Sequence, residues 1–115
     1  MNGRILLVGD DEAVLESRAL LLKPLETVKS SSSKAPAILI SRSFDVVVIG
    51  QSVAVSNAEW IIAAVKGLEC PPALIAIRYP NEHLATGVEV HETNTWQNPG
   101  WLKERVMELL AERSA

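Results

Sequence analysis

The stretch Phe44-Asp45-Val46-Val47-Val48-Ile49-Gly50 constrains the fold more than any other part of the chain. Four consecutive β-branched residues, entered after Ser43 and left at a glycine, predict a strand buried on both faces. Such strands lie inside parallel sheets, and in open α/β sheets the functional crevice lies beyond their carboxyl ends. The residue at that end is Gly50, which offers no side chain.

The flanking segments supply the rest of a sheet. Ile5-Leu6-Leu7-Val8, closed by Gly9, predicts a first strand, and Asp10-Asp11-Glu12 opens a helix where acids meet the free N–H groups and the positive end of the dipole. Val14, Ala19, Leu21 and Leu22, with Leu15 and Leu20 beside them, predict its apolar side, and Pro24 ends it. Glu26 to Lys29 reads as a weak edge strand and Ser30 to Ser33 as a polar loop; Pro36 fits the first turn of a helix running to about Arg42. Beyond Gly50, Asn57 is the expected cap of a helix ending at Lys66, with Trp60, Ile61, Ala64 and Val65 as its apolar face. Ala73 to Ile77 predicts a fourth buried strand, and Tyr79 to Thr86 leaves room for two helical turns at most. Val88 and Val90, alternating with Glu89 and His91, predict a half-exposed fifth strand. Asn98-Pro99 marks the start of a last helix lined by Leu102, Val106, Leu109 and Leu110. Alternation of strand and helix through the chain means an α/β fold, a doubly wound parallel sheet of five strands. The flavodoxin-like order 2-1-3-4-5 then brings Gly9-Asp10 and Gly50 together at the switch point.

Length and charge narrow the function classes. The 115 residues are expected to form a single domain, 1–115, with 48% hydrophobic and 22% charged residues. A formal net charge of −3 argues against nucleic acid as a direct partner. The lone cysteine, Cys70, excludes an internal disulfide and is expected to be a small buried hydrophobe. The first residues lack the apolar core of a signal peptide, and no run approaches the roughly 18 apolar residues of a membrane span, so a cytoplasmic location is expected.

Gly9-Asp10-Asp11 after the first strand, Phe44 to Gly50, Pro72 to Ile77 and Gly87-Val88-Glu89 resemble, in order and spacing, the receiver domain of bacterial response regulators. The resemblance covers essentially the whole chain. It implies a Mg²⁺ held by an acidic pair and by an aspartate that takes the phosphoryl group, with a hydroxyl and a lysine to read the modification. Here the phosphoacceptor position is Gly50 and the first acid of the pair is Gly9; Asp10 alone matches. The hydroxyl position falls on Ile77, and the lysine position on Asn94 or, with a later gap, on Asn98. Glycine cannot accept a phosphoryl group and isoleucine cannot hydrogen-bond one. The resemblance is therefore to a receiver that keeps the fold without the phosphorylation switch. Asp10 and Asp11 are weak metal candidates, better read as acids of the first helical turn, so no Mg²⁺ or other cofactor is expected.

The expected function is a protein-interaction module of two-component signalling that is not phosphorylated and is not an enzyme. Its partner would be a signalling protein or a second copy of itself, met through the fourth-helix, fifth-strand and fifth-helix surface that the resemblance implies, with the fourth helix shortened. His91, Trp96 and Trp101 are candidates for that surface, tryptophan being frequent at interface hot spots. The bland alternatives are a solvated His91, a core-packed Trp101 and a loop-covering Trp96; Trp60 is expected to pack on its helix face. A second function class is a small-ligand binder, with Gly9 and Gly50 opening a crevice for a phosphate or carboxylate. No Ser/His/Asp or Cys/His constellation stands out, since nothing pairs His83 or His91 with Cys70.

Overall fold

The structure, a computed structural model, describes residues 3–80, 82, 84, 88–92 and 100–114. Nine elements follow in order: β1 (Arg4–Val8), α1 (Glu12–Leu21), β2 (Glu26–Ser30), α2 (Ala35–Ser41), β3 (Val46–Ile49), α3 (Val55–Lys66), β4 (Ala73–Arg78), β5 (Glu89–Glu92) and α4 (Trp101–Ser114). The five strands form one parallel sheet in the order β2-β1-β3-β4-β5. This is the flavodoxin-like, doubly wound arrangement, with β1 and β3 adjacent at its centre and Val8 in register with Ile49. The carboxyl ends of these two strands converge, as the sequence pattern predicts.

Period-two side-chain alternation divides the core into two halves. Ile5 and Leu7 of β1, Val46 and Val48 of β3, and Ile75 and Ile77 of β4 face α1 and α4. Leu6 and Val8, then Val47 and Ile49, face α2 and α3. The β3 run is therefore uniformly apolar because both of its faces are covered, and all four residues are buried. Leu102, Val106, Leu109 and Leu110 bury the predicted face of α4, and Pro36 sits in the first turn of α2.

Several expectations need correction. In α1 the buried stripe is Leu15, Arg18 and Leu22, whereas Leu20 and Leu21 are exposed. The helix is rotated so that an arginine, rather than a leucine, fills the middle core position. In α3 the buried stripe is Ala58, Ile61, Ile62 and Val65, at helical spacing; Trp60 is 76% exposed and Ala64 is also exposed. Helix α3 begins at Val55 after Ala54, so Asn57 lies inside its first turn instead of capping it. Cys70 is exposed, because it sits in the turn between α3 and Pro71-Pro72 and not in the core. Much of the short helix expected after β4, with His83, Asn94, Trp96 and Asn98-Pro99, falls on residues 81, 83, 85–87 and 93–99, outside the described residues.

Candidate functional site

The carboxyl ends of β1 and β3 are closed by a dense set of polar contacts. Gly9 N donates to Ser30 O (2.9 Å) and Gly50 N to Val8 O (2.8 Å), so neither glycine leaves its amide open to a ligand. The Ser52 hydroxyl, in the loop after β3, accepts from Asp10 N (2.8 Å) and Asp11 N (3.2 Å). The Asp10 carboxylate turns the other way and accepts from Ser32 N (2.9 Å) and Ser32 Oγ (2.8 Å), tying the loop after β1 to that after β2. Asp11 caps α1 through Val14 N (3.3 Å), the role its position favours.

Two buried arginines complete this edge. Arg18, 2% exposed, sends its guanidinium beneath the end of β3; Nη2 donates to Gln51 Oε1, and Nη1 stands where a Cβ on Gly50 would be. Burial pushes Arg18 down to about 10, while the charge of Asp11 pulls the other way. It therefore stays cationic at neutral pH. Arg78, 1% exposed at the end of β4, donates from Nη1 to Val53 O (2.7 Å) and, more weakly, to Gly50 O (3.4 Å), and Nη2 lies 3.2 Å from Glu82 Oε1. The turn after β3 is thus held by guanidinium groups from two different elements.

No family model matches the sequence, and no curated protein matches it. Among solved structures the chain is similar to a response regulator receiver domain (CheY-like) from Methylobacillus flagellatus. The two superpose with a TM-score of 0.74 over 95% of this chain and 99% of that one, at 15% sequence identity. The fold is that of a receiver domain. At that identity the likeness is one of fold alone.

Gly9, Gly50 and Ile77, which the sequence resemblance aligns with phosphorylation positions, are enclosed. Gly50 is buried and covered by Arg18. A Cβ on Gly9 would lie 3.1 Å from Leu15 Cδ2 and 3.2 Å from Ser52 Oγ. The space a side chain at either glycine would take is held by a guanidinium, a leucine and a serine hydroxyl, while a cavity opens beside Gly9, lined by Asp10, Glu12, Lys29 and Lys34. Ile77 is fully buried against α1 and α4. The donor set does not suit Mg²⁺, which requires several oxygen ligands in near-octahedral order. Both Asp10 oxygens are engaged by Ser32, Asp11 is a helix cap, and a cation abuts the third position. Among the described residues no three His, Cys, Asp or Glu side chains come together as metal ligands.

Sequence reasoning missed Arg18, Arg78, Ser32 and Ser52. A signal for the first existed: Leu15, Arg18 and Leu22 share one helical stripe, so an arginine occupied an i+3 core position. Ser52 and Ser32 carry no pattern, because each acts only once the loops after β1, β2 and β3 are brought together.

On β5, His91 and Glu89 point toward α4. The His91 ring stacks on Trp101 with centroids 4.5 Å apart and planes tilted by 37°, and its Nε2 lies 2.8 Å from Glu89 Oε2. The expectation of a merely solvated His91 is corrected: the alternation of the strand turns its ring onto α4. Trp101 packs against the core on the α1/α4 side, as its bland reading held. Arg105 grips Glu89 through two nitrogens, Nε at 3.0 Å and Nη2 at 2.7 Å from Oε1. The Arg105 hydrogen bonds lower the Glu89 carboxyl below its ordinary range, with a smaller contribution from His91, against a cost from burial. A carboxylate whose folded pKa is depressed adds stability that is present above its unfolded pKa and is lost as pH falls through the folded one. Glu89→Gln is accordingly expected to flatten the decline of the urea midpoint below about pH 4.3, by an amount of order 1 kcal/mol or less for a partly exposed pair. Urea titrations of both proteins between neutral pH and the acid limb check this, and parallel declines would remove Glu89 from the account.

Proposed function

We propose that this chain is a receiver-like module of bacterial two-component or phosphorelay signalling that is not phosphorylated and works in the cytoplasm through protein–protein contacts. One observation carries the reading: the guanidinium of Arg18 lies against Gly50, where the receiver fold places its phosphoacceptor carboxylate. A cation there attracts anions, but Gly50 itself supplies no nucleophile, and Ile77 offers no hydroxyl to a phosphoryl oxygen. The module needs no Mg²⁺ and catalyses no reaction. Its contact surface includes His91 and Trp101 at the junction of β5 with α4, where a stacked pair of rings is fixed by Glu89 and Arg105. The partner is a signalling protein or a second copy of the chain.

Two measurements test this. Incubation with a small-molecule phosphodonor and Mg²⁺, followed by intact-protein mass spectrometry, is expected to give no mass gain. Light scattering coupled to size exclusion is expected to return the same mass with and without Mg²⁺ and beryllofluoride. A dimer under both conditions identifies self-association as the contact mode. A change that needs both Mg²⁺ and the analogue would mean that another carboxylate accepts the phosphoryl group, and the reading would fail.

A further inference from the structure

We propose that Arg18 is a built-in cation that takes over the structural role of a divalent metal, joining the ends of the receiver sheet permanently. The inference deepens the reading above by naming what holds this site in one state. The observations are geometric. Arg18 leaves α1 from a core position between Leu15 and Leu22, is almost fully buried, and ends against Gly50 and Gln51 in the loop after β3. The carboxylate of Asp11, in the loop after β1, contributes favourable charge at its guanidinium. One side chain thus bears on the segments that follow both central strands, β1 and β3.

A metal ion organises such loops by gathering several carboxylates, and it leaves when its concentration falls. A guanidinium needs fewer anions, supplies directed N–H donors and cannot dissociate. The replacement accounts together for features that are otherwise unrelated. The absence of a side chain at Gly50 leaves room for the guanidinium, which fills that space. Asp10 is released from metal binding and holds Ser32 instead. Ser52 takes the amides of Asp10 and Asp11, so these donors are satisfied within the chain. The loops after β1 and β3 should therefore be ordered alike whether or not divalent ions are present.

The experiment uses the full chain, labelled with ¹⁵N, and Mn²⁺ as the probe. Millimolar Mn²⁺ is expected to leave the amide signals of Gly9 to Asp11 and Gly50 to Ser52 no more broadened than those of the rest of the surface. Selective loss of those signals would show a metal site there and overturn the proposal. A double-mutant cycle supplies the second arm. Gly50→Ala is expected to lower the urea midpoint in the native background, because the new methyl displaces the guanidinium from Gln51. In an Arg18→Met background the same change is expected to have less than half that effect. Equal shifts in both backgrounds would mean that Arg18 does not dictate the glycine, and the proposal would fall. Should Arg18→Met not fold, the Mn²⁺ titration of the native chain still decides. The outcomes also separate the two readings: selective Mn²⁺ binding without phosphoryl uptake removes the built-in cation and spares the interaction module, whereas a mass gain from the phosphodonor removes the module reading.

Discussion

Arg78→Ala is expected to lower the unfolding free energy by roughly 3 kcal/mol, a large part of the 5–15 kcal/mol that a domain of this size commands. The side chain is fully enclosed, and its Nη1 supplies the donor for Val53 O at 2.7 Å and a weaker one for Gly50 O at 3.4 Å. Truncation leaves a buried carbonyl short of its donor, at a cost of about 1–3 kcal/mol, and opens a cavity that the rigid strand ends close only in part. The lost contact with Glu82 adds little, since that carboxylate is partly exposed. Arg78→Met, which keeps most of the stem, should recover the packing share and not the hydrogen bonds. Urea unfolding followed by circular dichroism measures all three proteins. A loss below about 0.5 kcal/mol for Arg78→Ala would mean that the turn after β3 does not depend on this guanidinium.

The second large effect concerns Ile77, which the sequence resemblance aligns with the hydroxyl position of receivers. Ile77→Thr is expected to cost about 2–4 kcal/mol, against roughly 1 kcal/mol for Ile77→Val. The residue is fully buried among Ile5, Leu7, Val48 and the α1/α4 side chains, and it has become part of the core. Threonine removes buried carbon and brings in a hydroxyl that has to find a partner in an apolar layer. Thermal or urea unfolding of the two variants distinguishes a polar penalty from simple loss of volume. Equal midpoints would show that the hydroxyl is already accommodated, so that the position retains its receiver geometry. The expected inequality says that restoring single receiver residues damages this chain before it restores any chemistry.

The fold was legible because its signals are local and redundant. An unbroken β-branched run such as Val46 to Ile49 suits a strand covered on both sides, and glycines at both strand ends sharpen the boundaries. Leu102, Val106, Leu109 and Leu110 repeat at helical spacing with charges between them, so the buried face of α4 could be read directly. Helix α1 was harder. Its leucines surround the helix, and hydrophobicity alone favours Leu20 and Leu21 over Arg18, although tertiary placement buries the arginine and exposes both leucines. The glycines at the ends of β1 and β3 were visible as residues, but what lies against them was not. Gly50 marks an absent side chain, and the guanidinium that occupies the gap comes from a position 32 residues earlier, linked to it by no sequence period. Trp60 misled for a related reason: as the largest apolar residue of α3 it suggests the core, yet the smaller Ala58, Ile61, Ile62 and Val65 suffice to cover the sheet.

The two outer strands have a consequence for how copies of this chain meet. A five-stranded open sheet ends in two rows of unpaired backbone groups, which invite another strand to add on. Here β2 presents exposed Glu26 and Lys29 along its length, and β5 carries Glu89 locked to Arg105. Extending the sheet from the β2 border would place a new strand beside those charges. Charged residues along an outer strand blunt such a border in a chain that is nearly half apolar.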